Sequence, residues 1–300
     1  MRTFGVLGII SVCALMATPA WAADMPDAVA AMIRAAAETG DAATLKTTVD
    51  LARKTNPAAT AEIDALVAEI EKTAEDARVA KLKHQGILEG WKGQGQAGAS
   101  ISTGNTQNKG LALGLNLNRD GLKWRHTILA TVDYARDQGV TTKQRYYASY
   151  EANYKFNDRL YVLGLGSWER DRFAGFDRRF SETVGVGYSV IRTPEMTLNV
   201  EAGPALRQTR YITGLSENKF AARTAADYAW TIAPGMLFTE NATYYGQSGD
   251  ATITSTTALT FKLRGALSVQ ASFLATHETN PPLGLDKTDT TSRMTLVYGF

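Results

Sequence analysis

Cysteine is almost missing from this chain of 300 residues, and Cys13 is the single instance. Histidine is scarce too, with only His84, His126 and His277. Zinc-type ligation needs clustered Cys and His, so a metal centre of that kind is not expected. No Gly-rich stretch opens a helix, which removes a phosphate-cradling loop. Charge of one sign is lacking as well: the formal net charge is +2, which argues against a nucleic-acid partner. No cofactor is expected.

Long apolar runs are equally rare. The clearest is Phe4 to Met16. At roughly 13 residues it falls short of the about 20 that a spanning helix needs. It follows a short basic start at Arg2 and precedes Pro19-Ala20-Trp21-Ala22, an Ala-x-Ala ending. This is the grammar of a secretory signal, with cleavage expected after Ala22. Cys13 lies inside it, and Val12 is too large for a lipoprotein signal. The exported chain would then carry no thiol, which excludes disulfides and thiol chemistry.

What remains falls into two textures. Residues 23–89 carry eight Lys and Arg against twelve Asp and Glu, whereas residues 90–300 carry 23 against 18. The first segment reads as helical. Val29, Met32, Ile33 and Ala36 recur at helix spacing after Pro26. Thr39-Gly40-Asp41 ends that helix, and Asp41 caps the next, lined by Leu45, Val49 and Ala52. Asn56-Pro57 breaks it, and a third helix carries Ile63, Leu66, Ile70, Ala74 and Ala77. This stripe suits either a small helical hairpin or extended helix, or a coiled-coil module that docks a partner.

From Trp91 the apolar period becomes two. Leu111, Leu113, Leu115 and Leu117 alternate with Ala112, Gly114, Asn116 and Asn118. The turn Arg119-Asp120-Gly121 follows, and the alternation resumes from Leu122 to Tyr134. Counting from turn to turn gives about twelve strands, near 91–102, 107–118, 122–136, 142–156, 159–172, 178–191, 196–211, 219–232, 236–246, 252–263, 266–278 and 290–300. The faces of 159–172 and 236–246 stay ambiguous. At about 11–16 residues the strands exceed the usual 5–6 of a soluble sandwich and suit a tilted bilayer crossing. In lipid, only a closed sheet leaves no unpaired edge. The expected fold is therefore an all-β transmembrane antiparallel barrel of about 12 strands, preceded by an α-helical periplasmic segment. Its organisation would be 1–22 signal, 23–89 helical segment and 90–300 barrel.

Short turns such as "NRDG" and "APG" would face the periplasm, and longer connections such as "ERDRFAGFDRR" and "HETNPPLGLDKTD" the exterior. Trp124, Tyr134, Tyr146, Phe156, Trp230, Tyr298 and Phe300 read as aromatic girdles. Met294, Leu296, Tyr298 and Phe300 share one parity up to the terminus, a terminal strand suited to barrel-assembly machinery. Gly164, Gly166, Gly185 and Gly187 read as relief of crowding at barrel bends.

The stretch "ISTGNTQNKGLALGLNLN", with Ser102-Thr103-Gly104-Asn105-Thr106 at its turn, resembles the family labelled salt-induced outer membrane proteins. The barrel length and terminal aromatic agree with it. The resemblance covers about residues 90–300 and implies an outer-membrane barrel linked to envelope or osmotic stress. It implies no catalytic residues.

By parity the lumen-facing charges are Lys123, Arg125, Asp133, Arg145, Glu151, Lys155, Glu201, Arg207, Arg223, Asp227, Lys262 and Arg293. They could line a narrow, weakly anion-leaning passage for small solutes or ions. Equally, they could pair across the lumen and plug it, leaving a structural or anchoring barrel. Arg170, Arg172, Arg178 and Arg179 form a basic loop that could hold lipopolysaccharide phosphates, or could pair with Asp171 and Asp177. Enzyme readings are weaker. Ser292 and His277 share an outward parity and could lie opposite one another, without an orienting acid, and Glu278 and Asp171 are candidate rim acids.

Overall fold

The computed structural model describes residues 25–86, 88–103, 108–137 and 139–300. Ala22, Cys13 and the turn residues Gly104 to Thr106 lie outside the described residues. The chain divides into two compact units between Lys83 and His84.

The first unit is helical. Helices α1 (Asp27–Glu38), α2 (Ala42–Thr55) and α3 (Thr60–Lys83) are separated by Gly40 at φ 69° and by a 3-10 turn, Pro57–Ala59. Asp41 caps α2. Its carboxylate accepts from Ala43 N at 3.1 Å, Thr44 N at 3.3 Å and Thr44 Oγ1 at 2.5 Å. Chiefly the Thr44 hydroxyl, and then the Ala43 amide, hold that carboxyl below its ordinary value. Ala30, Ile33, Val49, Ala52, Ile63 and Leu66 form the core. Ile33 and Ile63 are wholly buried, which contributes roughly 1.5–3 kcal/mol each. Two expectations need correcting. Met32 is exposed and Ala30 takes its place, and α3 is exposed from Glu71 through Arg78, so Ala74 and Ala77 stay outside the core. A three-helix cluster this short runs out of neighbours before its longest helix ends. No described helix is long and apolar enough to cross a membrane.

The second unit is a closed barrel of twelve antiparallel strands, each paired with its neighbours in sequence, and with the first closing on the last. They are β1 (Trp91–Thr103), β2 (Asn108–Asp120), β3 (Trp124–Asp137), β4 (Val140–Lys155), β5 (Leu160–Asp171) and β6 (Phe176–Arg192). The remainder are β7 (Met196–Tyr211), β8 (Ser216–Ala233), β9 (Met236–Gln247), β10 (Asp250–Arg264), β11 (Leu267–Glu278) and β12 (Thr288–Gly299). Closure is direct: Gly93 and Phe300 exchange two backbone hydrogen bonds of 2.8 Å. Arg119 fastens the entering chain by donating to Glu89 O and Gly86 O.

Trp91 and Phe300 mark what we call the near end. The expected long connections at the far end are mostly absorbed into strands. β6 starts at Phe176 and β8 at Ser216, leaving 172–175 and 212–215 as turns. Extending a paired ladder satisfies backbone groups that a free loop leaves to water. Among the described connections at this end, 279–287 alone remains long. Two-residue hairpins need positive φ, and glycine supplies it at Gly235 (81°) and Gly249 (81°).

Outward positions form an apolar band: Leu111, Leu113, Leu115, Val184, Val186, Ile253, Phe261, Phe273, Met294 and Leu296 are all exposed. Trp124, Phe156, Trp230, Tyr298 and Phe300 stand exposed toward the near end of that band. One carboxylate interrupts it. Glu240 faces outward and accepts from Ser255 Oγ at 2.6 Å and Thr257 Oγ1 at 2.5 Å on β10.

Candidate functional site: the barrel lumen

Because side chains alternate across a strand, each strand delivers every second residue to the lumen. β5 settles its ambiguity in an unexpected sense. Its large apolar residues Tyr161, Leu163 and Leu165 point inward and pack together, and Gly164 and Gly166 point outward. A Cβ on Gly164 or Gly166 would meet nothing within 4 Å, so these two relieve no crowding. Gly187 does: its Cβ would fall 2.2 Å from the Tyr161 ring. Gly185 likewise approaches Ala202 O, at 2.6 Å.

The lumen is layered. At the near end sit Lys123, Arg125, Lys155 and Lys262, joined by Lys92. Lys123 lies in the turn just before β3. Asp120 is the acid among them, 2.9 Å from Lys155 Nζ and 3.5 Å from Arg125 Nε. The group is open to water, Arg125 being 38% exposed and Asp120 57%.

The middle layer is acidic. Arg223 Nη1 donates to Glu201 Oε2 at 2.7 Å, and Tyr161 OH donates to Glu201 Oε1 at 3.0 Å. Asn153 Nδ2 donates to Glu151 Oε1 at 2.8 Å, and Asn241 Nδ2 donates to Asp227 Oδ1. Around the rest of this level the lining is small and neutral: Thr243, Thr256, Gln270, Ser272, Gln96 and Asn116, all half-buried.

The far layer is a packed plate of alternating charge. Arg293 grips Asp133 with two hydrogen bonds, of 2.8 and 2.7 Å. Arg145 binds Glu169 at 2.7 Å and approaches Asp133 at 4.0 Å. Arg179 reaches Glu278 at 2.8 Å. Lys143 rests on hydroxyls, Ser102 at 2.9 Å and Thr291 at 3.0 Å. Arg207 donates to Thr252 at 2.6 Å and stacks 4.4 Å from the Tyr245 ring centroid. Above the plate, loop 279–287 meets the β5–β6 turn, since a Cβ on Gly175 would lie 2.8 Å from Leu285 Cδ1. Those two connections are six strands apart in a ring of twelve, on opposite sides of the mouth.

Of the twelve charges read from parity, Asp133, Arg145 and Arg293 meet in the plate near Arg207. Glu151, Glu201, Arg223 and Asp227 share the middle, and the remaining four take the near end. The parity reading missed Lys143, Glu169 and Arg179. Arg179 had been placed in an exterior basic loop, but it is 8% exposed and points into the lumen, because β6 begins before it. Its parity with Ser181 and Thr183 was the available signal. Arg170 does pair with Asp177, at 3.6 Å. Asp171 turns to cap Phe173 N and Ala174 N, and Glu278 is taken by Arg179 and Thr252. Ser292 pairs with Phe273, not His277, and His277 pairs with Thr288. The four-residue offset is about 13 Å, beyond proton-transfer reach. Among the described residues, no three His, Cys, Asp or Glu side chains could hold a metal ion.

A family match covers residues 95–300, which is the barrel and none of the helices. The chain belongs to the family described as Protein of unknown function, DUF481. A relative from Escherichia coli K12, Uncharacterized protein YdiY, is 23% identical over 210 residues, spanning 70% of this chain and 82% of its own length. Among solved structures, the NanC porin aligns with 69% of this chain and 98% of its own, at 10% identity and a TM-score of 0.48. The translocator domain of NalP from Neisseria meningitidis aligns with 80% and 98%, at 12% identity and 0.44. The KdgM porin with oligogalacturonate aligns with 69% and 99%, at 11% identity and 0.42.

Proposed function

We propose that this barrel spans a Gram-negative outer membrane and acts as a narrow passive channel for small solutes or ions. The apolar outward band supports membrane residence, because a patch encircling the molecule exceeds anything a water-soluble monomer exposes. One observation carries the channel reading. Asn241 faces the lumen at mid-barrel and is still exposed, beside Asp227 and a wall of Thr, Ser, Asn and Gln. A filled barrel would bury it. On this reading lipid and lipopolysaccharide surround the barrel, the Met294–Leu296–Tyr298–Phe300 edge is offered to assembly machinery, and the helical unit lies in the periplasm. The family resemblance supports a role in adaptation to salt or osmotic stress, which a deletion strain would test by growth at high salt.

A second reading has its own support. The ion-paired plate and loop 279–287 over the far mouth favour a closed, anchoring barrel whose helices dock a periplasmic protein. Planar-bilayer recording separates the two. Discrete conductance steps support the channel; silence from a barrel that still shows heat-modifiable migration supports the anchor.

A further inference from the structure

The barrel redistributes the basic loop read from the sequence. Arg179 turns into the lumen, and Arg210 of β7 takes a place beside Arg178 on the outward face. Arg178 and Arg210 are direct partners in the β6–β7 ladder, and both are exposed. Like charges set directly opposite one another repel. Neither has a carboxylate within ion-pair reach among the described residues. Arg170 continues the row on β5. It meets Asp177 at 3.6 Å, with Arg170 37% and Asp177 42% exposed. An exposed pair of that length is weak and leaves the guanidinium able to serve a stronger anion. The next outward acid, Glu182, lies four residues along β6 from Arg178, about 13 Å away, at the far edge of the apolar band. Strands β9 to β12 place no arginine or lysine outward at this end, so the row is a local seat and not a charged rim.

What lies beneath the row points to an amphiphile. Trp168 and Phe180 stand opposite one another, one outward position below Arg170 and Arg178. Below them Gly166 and Gly164 face outward over open space, between Tyr150 and Ala152 on β4 and Glu182 and Val184 on β6. The missing side chains leave a trough on the lipid face, where a chain can lie close to backbone. Guanidinium groups bind phosphate through paired hydrogen bonds, and aromatic rings favour the boundary between headgroup and hydrocarbon.

We propose that Arg170, Arg178 and Arg210 seat the phosphates of lipopolysaccharide, with an acyl chain in the trough over Gly164 and Gly166. This rests on the membrane reading, with the far end at the exterior, and is independent of whether the lumen conducts. It narrows the general surround of lipid to a specific contact on one side of the barrel.

The test is calorimetric titration of rough-type lipopolysaccharide into the refolded full chain in a nonionic detergent. The native protein should bind it saturably, and should bind its dephosphorylated counterpart more weakly, on the order of tenfold. Arg178→Glu with Arg210→Glu should lose a similar factor while keeping heat-modifiable migration. Should that pair fail to refold, Arg210→Gln, at an exposed position, should weaken binding in the same direction. Equal affinity in native protein and variants, indifference to dephosphorylation, or saturation by inorganic phosphate alone overturns the seat and leaves the membrane barrel standing. A chain that stays folded and dispersed in water without detergent removes the membrane reading and the seat together.

Discussion

The two walls of the lumen are built on opposite plans. From β4 to β8 the wall carries large or charged inward residues that are buried, Tyr161, Leu163, Glu201, Arg207 and Arg223, with small ones such as Gly187 and Ala205 making room for them. From β9 through β12 to β2 the mid-height residues are Thr, Ser, Asn and Gln, most of them half-buried. Both walls obey the same alternation, so pattern alone does not distinguish them. Side-chain volume does. One wall fills the interior as the core of a small barrel would, and the other leaves space beside it.

The sharpest way to break this comparison is to damage the packed wall where charges are buried. Glu201→Ala would leave Arg223 beside an emptied site, and removing one partner of a buried pair costs about 3–5 kcal/mol. Urea unfolding followed by heat-modifiable migration would read it. Thr256→Ala on the other wall should stay within about 0.5 kcal/mol. Equal losses would erase the distinction.

Glycines give a smaller contrast. Gly187→Ala should destabilise by about 1–3 kcal/mol through overpacking against Tyr161. Gly164→Ala, pointing outward into open space, should not destabilise at all. The far mouth tests whether the open wall leads anywhere. Glu278→Gln loosens Arg179 beneath loop 279–287, and single-channel steps should become larger or more frequent. Unchanged steps would place the constriction elsewhere.

The smallest effect concerns the helical unit. The Asp41 carboxyl titrates below its unfolded value, so its contribution to α2 is present above about pH 4 and is lost as pH falls through the folded value. Protection of the Ala43 and Thr44 amides, read as exchange relative to the intrinsic rate at each pH, should fall as the pH drops below about 4. Asp41→Asn keeps a capping oxygen and should abolish that dependence.

Much of this was legible in residue order. Leu111 to Leu117 and Phe220 to Ile232 alternate so regularly that strand, face and count followed. Asp41 announced its cap, and Asn56-Pro57 the break after α2. Glu278 and Arg179 were not legible as partners. They lie 99 residues apart, on strands that closure alone brings into one plate. The Ser292–His277 pairing failed for a related reason, since register across a hairpin depends on where the turn closes and not on parity.

Alternation by itself determined that the chain forms long two-faced strands, because side-chain direction along a strand is a local property of the backbone. Only the tertiary structure decided which charges meet, which wall is filled and which carboxylate the Tyr161 hydroxyl reaches. Those outcomes depend on register and volume around a closed ring, and no single strand carries that information.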